Sequence, residues 1–265
     1  MKKDKEATLK IITTGLMVAI IAICTMVIAI PVPFTNGYVH LGDSMIFLAV
    51  LILGWKYGAI AAAVGSAMAD AFLGYVHWIP WTFCIKGVMA LLVGLVIEKT
   101  AKSRRNIVVA SLSTAGAWIA FNFVVRWIVK YESTHNRGAL IESGVVTQSE
   151  FAGFLASVQN QLMIIALLIP VALTLISIYV RIKEHTKIPF SQILGMTLGG
   201  LWMVLGYYVA GGVMYGNFAV AAFSIPANMI QFLAGFFLAA IVAATLEKTP
   251  AKKFFAYKTP VVKQG

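Results

Sequence analysis

The chain is expected to be an all-α integral membrane protein, and three observations point to that class. Hydrophobic residues fill 60% of its 265 positions and charged residues 12%, against roughly 25% charged in a soluble domain. Mean hydropathy is +0.87, and the uncharged runs are too long for barrel strands, which are short and alternate in polarity. The basic residues gather in clusters between those runs, as they do in the cytoplasmic loops of multi-pass proteins. The expected location is a cell membrane, crossed several times.

Apolar segments fall at residues 9–30, 42–54, 57–74, 79–97, 107–129, 158–180, 192–213 and 225–246. The first follows MKKDKEATLK, outlasts a signal-peptide core and meets no small-x-small cleavage site, so it reads as a retained helix. The second spans about 20 Å, short for a core of roughly 30 Å. Charge decides whether it counts. Lys2, Lys3, Lys5 and Lys10; Lys56; Lys99, Lys102, Arg104 and Arg105; Arg181, Lys183 and Lys187; and Lys248, Lys252, Lys253, Lys258 and Lys263 hold 17 of the 21 basic residues. All five clusters lie on one side only if an even number of spans precedes Lys99, and four fits. Two further pairs complete eight helices, with both termini cytoplasmic. The outer loops are then 31–41, 75–78, 130–157 and 214–224, of which 130–157 carries Lys130 and Arg137.

Several chemistries are excluded or unsupported. There is no GxxxxGK[ST] phosphate loop, HExxH or GxSxG, and no soluble domain large enough to hold ATP. The chain therefore reads as a non-enzyme without a cofactor or metal. Its charge of +11 follows topology and anionic lipid, with no nucleic acid implied. Cys24 and Cys84 sit in apolar runs and read as small hydrophobes.

Ionisable groups near the spans carry more information, because they are costly in hydrocarbon. Asp43 can cap the start of the second helix, while Asp70 and Lys86 can form a buried ion pair or meet a ligand. The outer rim collects Tyr38, His40, Tyr75, His77, Trp78, Trp81, Tyr207, Tyr208, Tyr215 and Asn217, which interfacial anchoring also explains. Asn228 and Gln231 are different: three apart, they share one face just after Pro226, where amides usually bond something specific. Small residues form two rows. Gly15 and Ala19, with Ala22 nearby, suit helix packing or docking to a membrane subunit, and Ala61, Gly65 and Ala69 suit internal packing.

The stretches LGDSMIFLAVLILGWKYGAIAAAVGSAMAD, PWTFCIKGVMALLVGLV and LGGLWMVLGYYVAGGVMYGN…SIPANMIQ resemble S components of energy-coupling factor (ECF) vitamin transporters, in the riboflavin-, pyrimidine- and pyridoxine-type group. The resemblance implies a six-helix fold that holds a vitamin near the outer face. It also implies a first helix docked through small residues on a transmembrane coupling subunit, driven by two cytoplasmic ATPases. Residues 8–100 and 190–247 carry it, within one membrane domain over 1–265, and 102–189 reads as an added hairpin whose outer loop could cover the pocket. The expected function is binding of a water-soluble vitamin or precursor for ATP-driven uptake. An aromatic ring would stack among Trp78, Trp81 and Tyr207, with His40, Asp70, His77, Lys86, Asn228 and Gln231 as polar contacts. A self-sufficient carrier coupled to protons or sodium, titrating at Asp43 or Asp70, is the alternative.

Overall fold

A computed structural model describes residues 2–32, 37–135, 151–182 and 189–258. Each of the eight expected segments is a helix: α1 (Lys2–Val27), α2 (Gly42–Leu53), α3 (Trp55–Phe72), α4 (Ile79–Thr100), α5 (Arg104–His135), α6 (Phe151–Ile182), α7 (Phe190–Tyr215) and α9 (Ile225–Leu246), with a one-turn α8 (Phe218–Ala222) between the last two. Among the described residues six helical stretches are long and apolar enough to cross a membrane. Neither α2 nor α3 is among them. The protein is thus a multi-pass membrane protein in which the eight expected helices are present and six candidate spans are found among the described residues.

Short α2 is sheltered by protein rather than lipid, since every residue from Gly42 to Leu51 except Met45 is buried. It ends at Gly54, whose φ of +78° is open to glycine at little cost and lets the chain reverse directly into α3. The orphan carbonyls of its last turn are met by the C-terminal tail: Ala256 N–H donates to Ile52 and Tyr257 N–H to Leu51, both at 3.1 Å.

The expected outer loop 31–41 contains a two-stranded antiparallel sheet, β1 (Ala29–Val32) and β2 (Gly37–His40), pairing Ala29 with His40 and Pro31 with Tyr38. The two prolines of IPVP disguise this hairpin in the sequence, but Pro is tolerated on an edge strand. Helices α1 and α2 pack on α3, α3 on α4, α4 on α7, and α7 on α9, which closes back on α2. Helices α5 and α6 pack chiefly on each other as a hairpin. Its loop 136–150, named above as a possible cover for the pocket, lies outside the described residues. The basic clusters within the described residues gather at one end of the bundle, and the hairpin, α8 and the aromatic rim lie at the other.

Candidate functional site

At that non-basic end, three helices each aim one face inward at helical spacing. Helix α4 and the turn before it supply Trp78 and Thr82; α7 supplies Tyr207, Gly211 and Tyr215; α9 and its first turn supply Ser224, Asn228 and Gln231. The i, i+4 recurrence puts each set on one side of its helix. Tyr38 and His40 of β2 and Asp70 of α3 complete the wall. Six expected residues (His40, Asp70, Trp78, Tyr207, Asn228 and Gln231) therefore line one cavity. Its free volume is only about 40 Å³, room for a few waters, so anything larger enters by parting the walls.

Aromatic rings dominate. Trp78 meets Tyr207 edge-on at 5.5 Å and Tyr215 at 6.4 Å, while Tyr38 lies 4.7 Å from Tyr75 and 5.4 Å from the His40 ring. Polar groups sit between them. Tyr38 Oη donates to Asp70 Oδ1 at 2.7 Å, fastening β2 to α3, and Tyr207 Oη donates to Thr82 Oγ1 at 3.2 Å. Burial pushes the Tyr38 phenol upward, and the Asp70 charge beside it pushes the same way. Asp70 Oδ2 is buried with no hydrogen-bond partner among the described residues. The Asn228 side-chain amide, 8% exposed, likewise makes no hydrogen bond among them.

Beneath this wall lies a charged knot. Asp43 and Lys86, each 0% exposed, form an ion pair, and Gln231 Nε2 donates to the second Asp43 oxygen at 2.8 Å. Gln231 Oε1 in turn accepts the His40 backbone N–H at 3.0 Å. This corrects two expectations. Asp43 does not cap α2, whose start has no side-chain cap; its carboxylate turns inward to the Lys86 ammonium. Lys86 pairs with Asp43 rather than Asp70 and lies off the cavity wall, its Nζ 5.2 Å from the Tyr207 ring centre. The His40 ring stays neutral because burial, and then the Lys86 charge, pull its pKa down to about 3 against the opposing pull of Asp43. Its Nδ1 therefore accepts the Gly42 N–H at 3.0 Å.

Other expected residues fall elsewhere. His77 is exposed on the rim, 6.1 Å from Trp78, and Trp81 packs half-buried against the core rather than on the cavity. Tyr208 turns away to Phe121 and Phe218, and Asn217 caps α8, accepting from Ala219 and Val220 N–H. Of the small rows, Gly65 packs internally: a Cβ there would meet the Val18 carbonyl at 2.7 Å and Ile21 at 3.0 Å. Gly15 and Ala19 are exposed and Gly15 has nothing within 4 Å, but Ala22 is 3% exposed and belongs to internal packing, not to an outward face. Thr82, Gly211 and Ser224 are wall residues the sequence reading passes over, although their four-residue spacing from Trp78, Tyr207 and Asn228 was a usable signal.

Comparison with known proteins adds an independent finding. A family model described as ECF-type riboflavin transporter, S component, matches residues 5–176 and 155–248. An uncharacterized protein in the gap 3′ region of Pyrococcus woesei is 40% identical over 74 residues, 28% of this chain and 49% of that protein. A UPF0397 protein of Streptococcus agalactiae serotype Ia is 27% identical over 92 residues, 35% of this chain and 50% of that protein. The chain spans about half the length of these curated relatives. No solved structure matches it.

Proposed function

Because the chain belongs to the family of S components of ECF-type riboflavin transporters, we propose that it is a substrate-binding membrane subunit that captures riboflavin or a similar flat vitamin. The observation that carries this reading is a cavity walled by aromatic rings, in which Asn228 and Asp70 Oδ2 have no side-chain hydrogen bond among the described residues. The imide edge of a flavin presents a donor between two acceptors, which an amide such as Asn228 complements. Its polyol chain offers hydroxyl donors to the Asp70 carboxylate. Trp78, Tyr207 and Tyr215 supply the stacking surface. By the positive-inside rule the basic end is cytoplasmic, both termini with it, and the cavity faces outward.

Entry follows from the fastenings. The β1–β2 hairpin is held over the cavity by the Tyr38–Asp70 and His40–Gln231 hydrogen bonds. Breaking the first frees Asp70 and lifts the strand, and the incoming ligand replaces the lost partner. Gln231 serves more as the brace of β2 than as a ligand contact, since both ends of its amide are already engaged. Lys86 acts one layer lower, by holding Asp43.

The partners would be a transmembrane coupling subunit and, through it, two cytoplasmic ATPases. The exposed Gly15 and Ala19 offer α1 a flat strip for close helix contact. For a carrier driven by ions alone, Asp43 is poorly placed, because Lys86 already neutralises it. Uptake into vesicles tests the reading. Riboflavin should accumulate only when the coupling subunit, the ATPases and ATP are present; accumulation by this chain alone under a proton or sodium gradient would overturn it.

A further inference from the structure

The appended hairpin holds a cation that the sequence reading overlooks. Arg126 lies inside the apolar run of α5, 22 residues beyond Arg104, or about 33 Å along the helix, near the far edge of a hydrocarbon core of roughly 30 Å. Interfacial aromatics mark the same level. Trp127 and Tyr131 stack at 5.7 Å, Tyr131 and His135 at 4.3 Å, and Trp127 is 60% exposed, as belt residues are at headgroup depth. The cation is on the outer side, where the positive-inside rule does not call for it.

Arg126 is held in place by hydrogen bonds to a neutral amide. Its Nε donates to Gln159 Oε1 at 3.1 Å, and Gln159 Nε2 donates back to the Arg126 carbonyl at 3.3 Å. No carboxylate among the described residues pairs with Arg126 or with Lys130, one turn further out. Both line an open crevice between α5 and α6 with a free volume of about 750 Å³. Below the two cations its walls are mostly apolar, with Asn122 the polar exception; Phe123, Met163 and Leu167 line it, and Phe123 and Leu167 are 73% and 62% exposed. A cationic mouth at headgroup depth above an apolar trough matches one occupant in charge and shape.

We propose that this crevice binds an anionic phospholipid of the outer leaflet. Its phosphodiester lies between Arg126 and Lys130, and an acyl chain runs down along Phe123, Met163 and Leu167. The pinned guanidinium suits an oxyanion, because its remaining N–H groups form a planar fork. The Gln159 hydrogen bonds fix its direction before the lipid arrives. This inference does not depend on what the vitamin cavity binds.

Native mass spectrometry of the full chain, purified in detergent and exchanged into mixed micelles of phosphatidylglycerol or phosphatidylcholine, tests it. One phosphatidylglycerol should stay bound, retained at least tenfold more than phosphatidylcholine. The Arg126→Gln/Lys130→Gln variant should lose that preference, whereas Arg126→Lys, which keeps the charge, should retain most of it. Size-exclusion and circular dichroism report whether each variant is folded, and Lys130→Gln alone gives the same reading if the double variant is not. Equal retention of both lipids by the wild type, no retained lipid, or an unchanged preference in the folded charge-removed variants would overturn the proposal.

Discussion

At the residue scale, the buried ion pair beneath the cavity is the sharpest feature. Asp43 and Lys86 are both 0% exposed, so removing one partner leaves the other a buried, unpaired charge. Lys86→Met or Asp43→Asn should each destabilise the fold by about 3–5 kcal/mol, while the double variant recovers much of the loss. Thermal unfolding in detergent across that cycle checks it; additive losses would mean that the two do not act as a pair. His40 makes a second prediction. Its pKa is held near 3 in the fold against roughly 6.5 when unfolded, so the unfolded chain takes up the proton first. Stability should be indifferent to His40 above about pH 6.5 and fall as pH drops from there toward 3. His40→Asn, which keeps an acceptor for the Gly42 N–H, should flatten part of that slope in melting temperatures recorded at pH 7.5 and 5.

At the scale of elements, the two small-residue rows give opposite expectations. Gly65 lets α3 approach α1 at the Val18 carbonyl, so Gly65→Val should lower stability by about 1–3 kcal/mol through overpacking. Gly15→Leu and Ala19→Leu point away from the bundle and should leave stability and vitamin binding intact while abolishing uptake with the coupling subunit. Loss of binding in the latter pair would assign that row to internal packing. The eight helices were legible because long uncharged runs and basic clusters are direct consequences of the bilayer. The β1–β2 hairpin was not, since prolines in IPVP and a four-residue strand length weaken the alternating signal. The partner of Lys86 was also hidden: periodicity tells which face Asp43 and Asp70 occupy, but not which of them the neighbouring helix meets. Trp78 and Trp81 show the same limit, as both read as interface tryptophans and only one faces the cavity.

At the scale of the whole molecule, residues of β1, β2, α3, α4, α7, α8 and α9 of this one chain wall the cavity, while α5 and α6 pack chiefly on each other. Binding should therefore occur without ATP or partners, with energy needed only for uptake. The candidate site was readable to the extent that aromatic and amide residues collect at the end of the bundle opposite the basic clusters. Which of them touch a ligand depends on packing between helices far apart in sequence. The most direct measurement is titration of riboflavin into the isolated, detergent-purified chain, followed by quenching of flavin fluorescence. Wild type should bind one molecule. Asn228→Ala and Trp78→Ala should each weaken binding by about 1–3 kcal/mol, or roughly 5- to 150-fold, while Trp81→Ala leaves it within about twofold. Absence of binding by the folded wild type, or wild-type affinity in both cavity variants, would contradict the assignment of this cavity as the vitamin site.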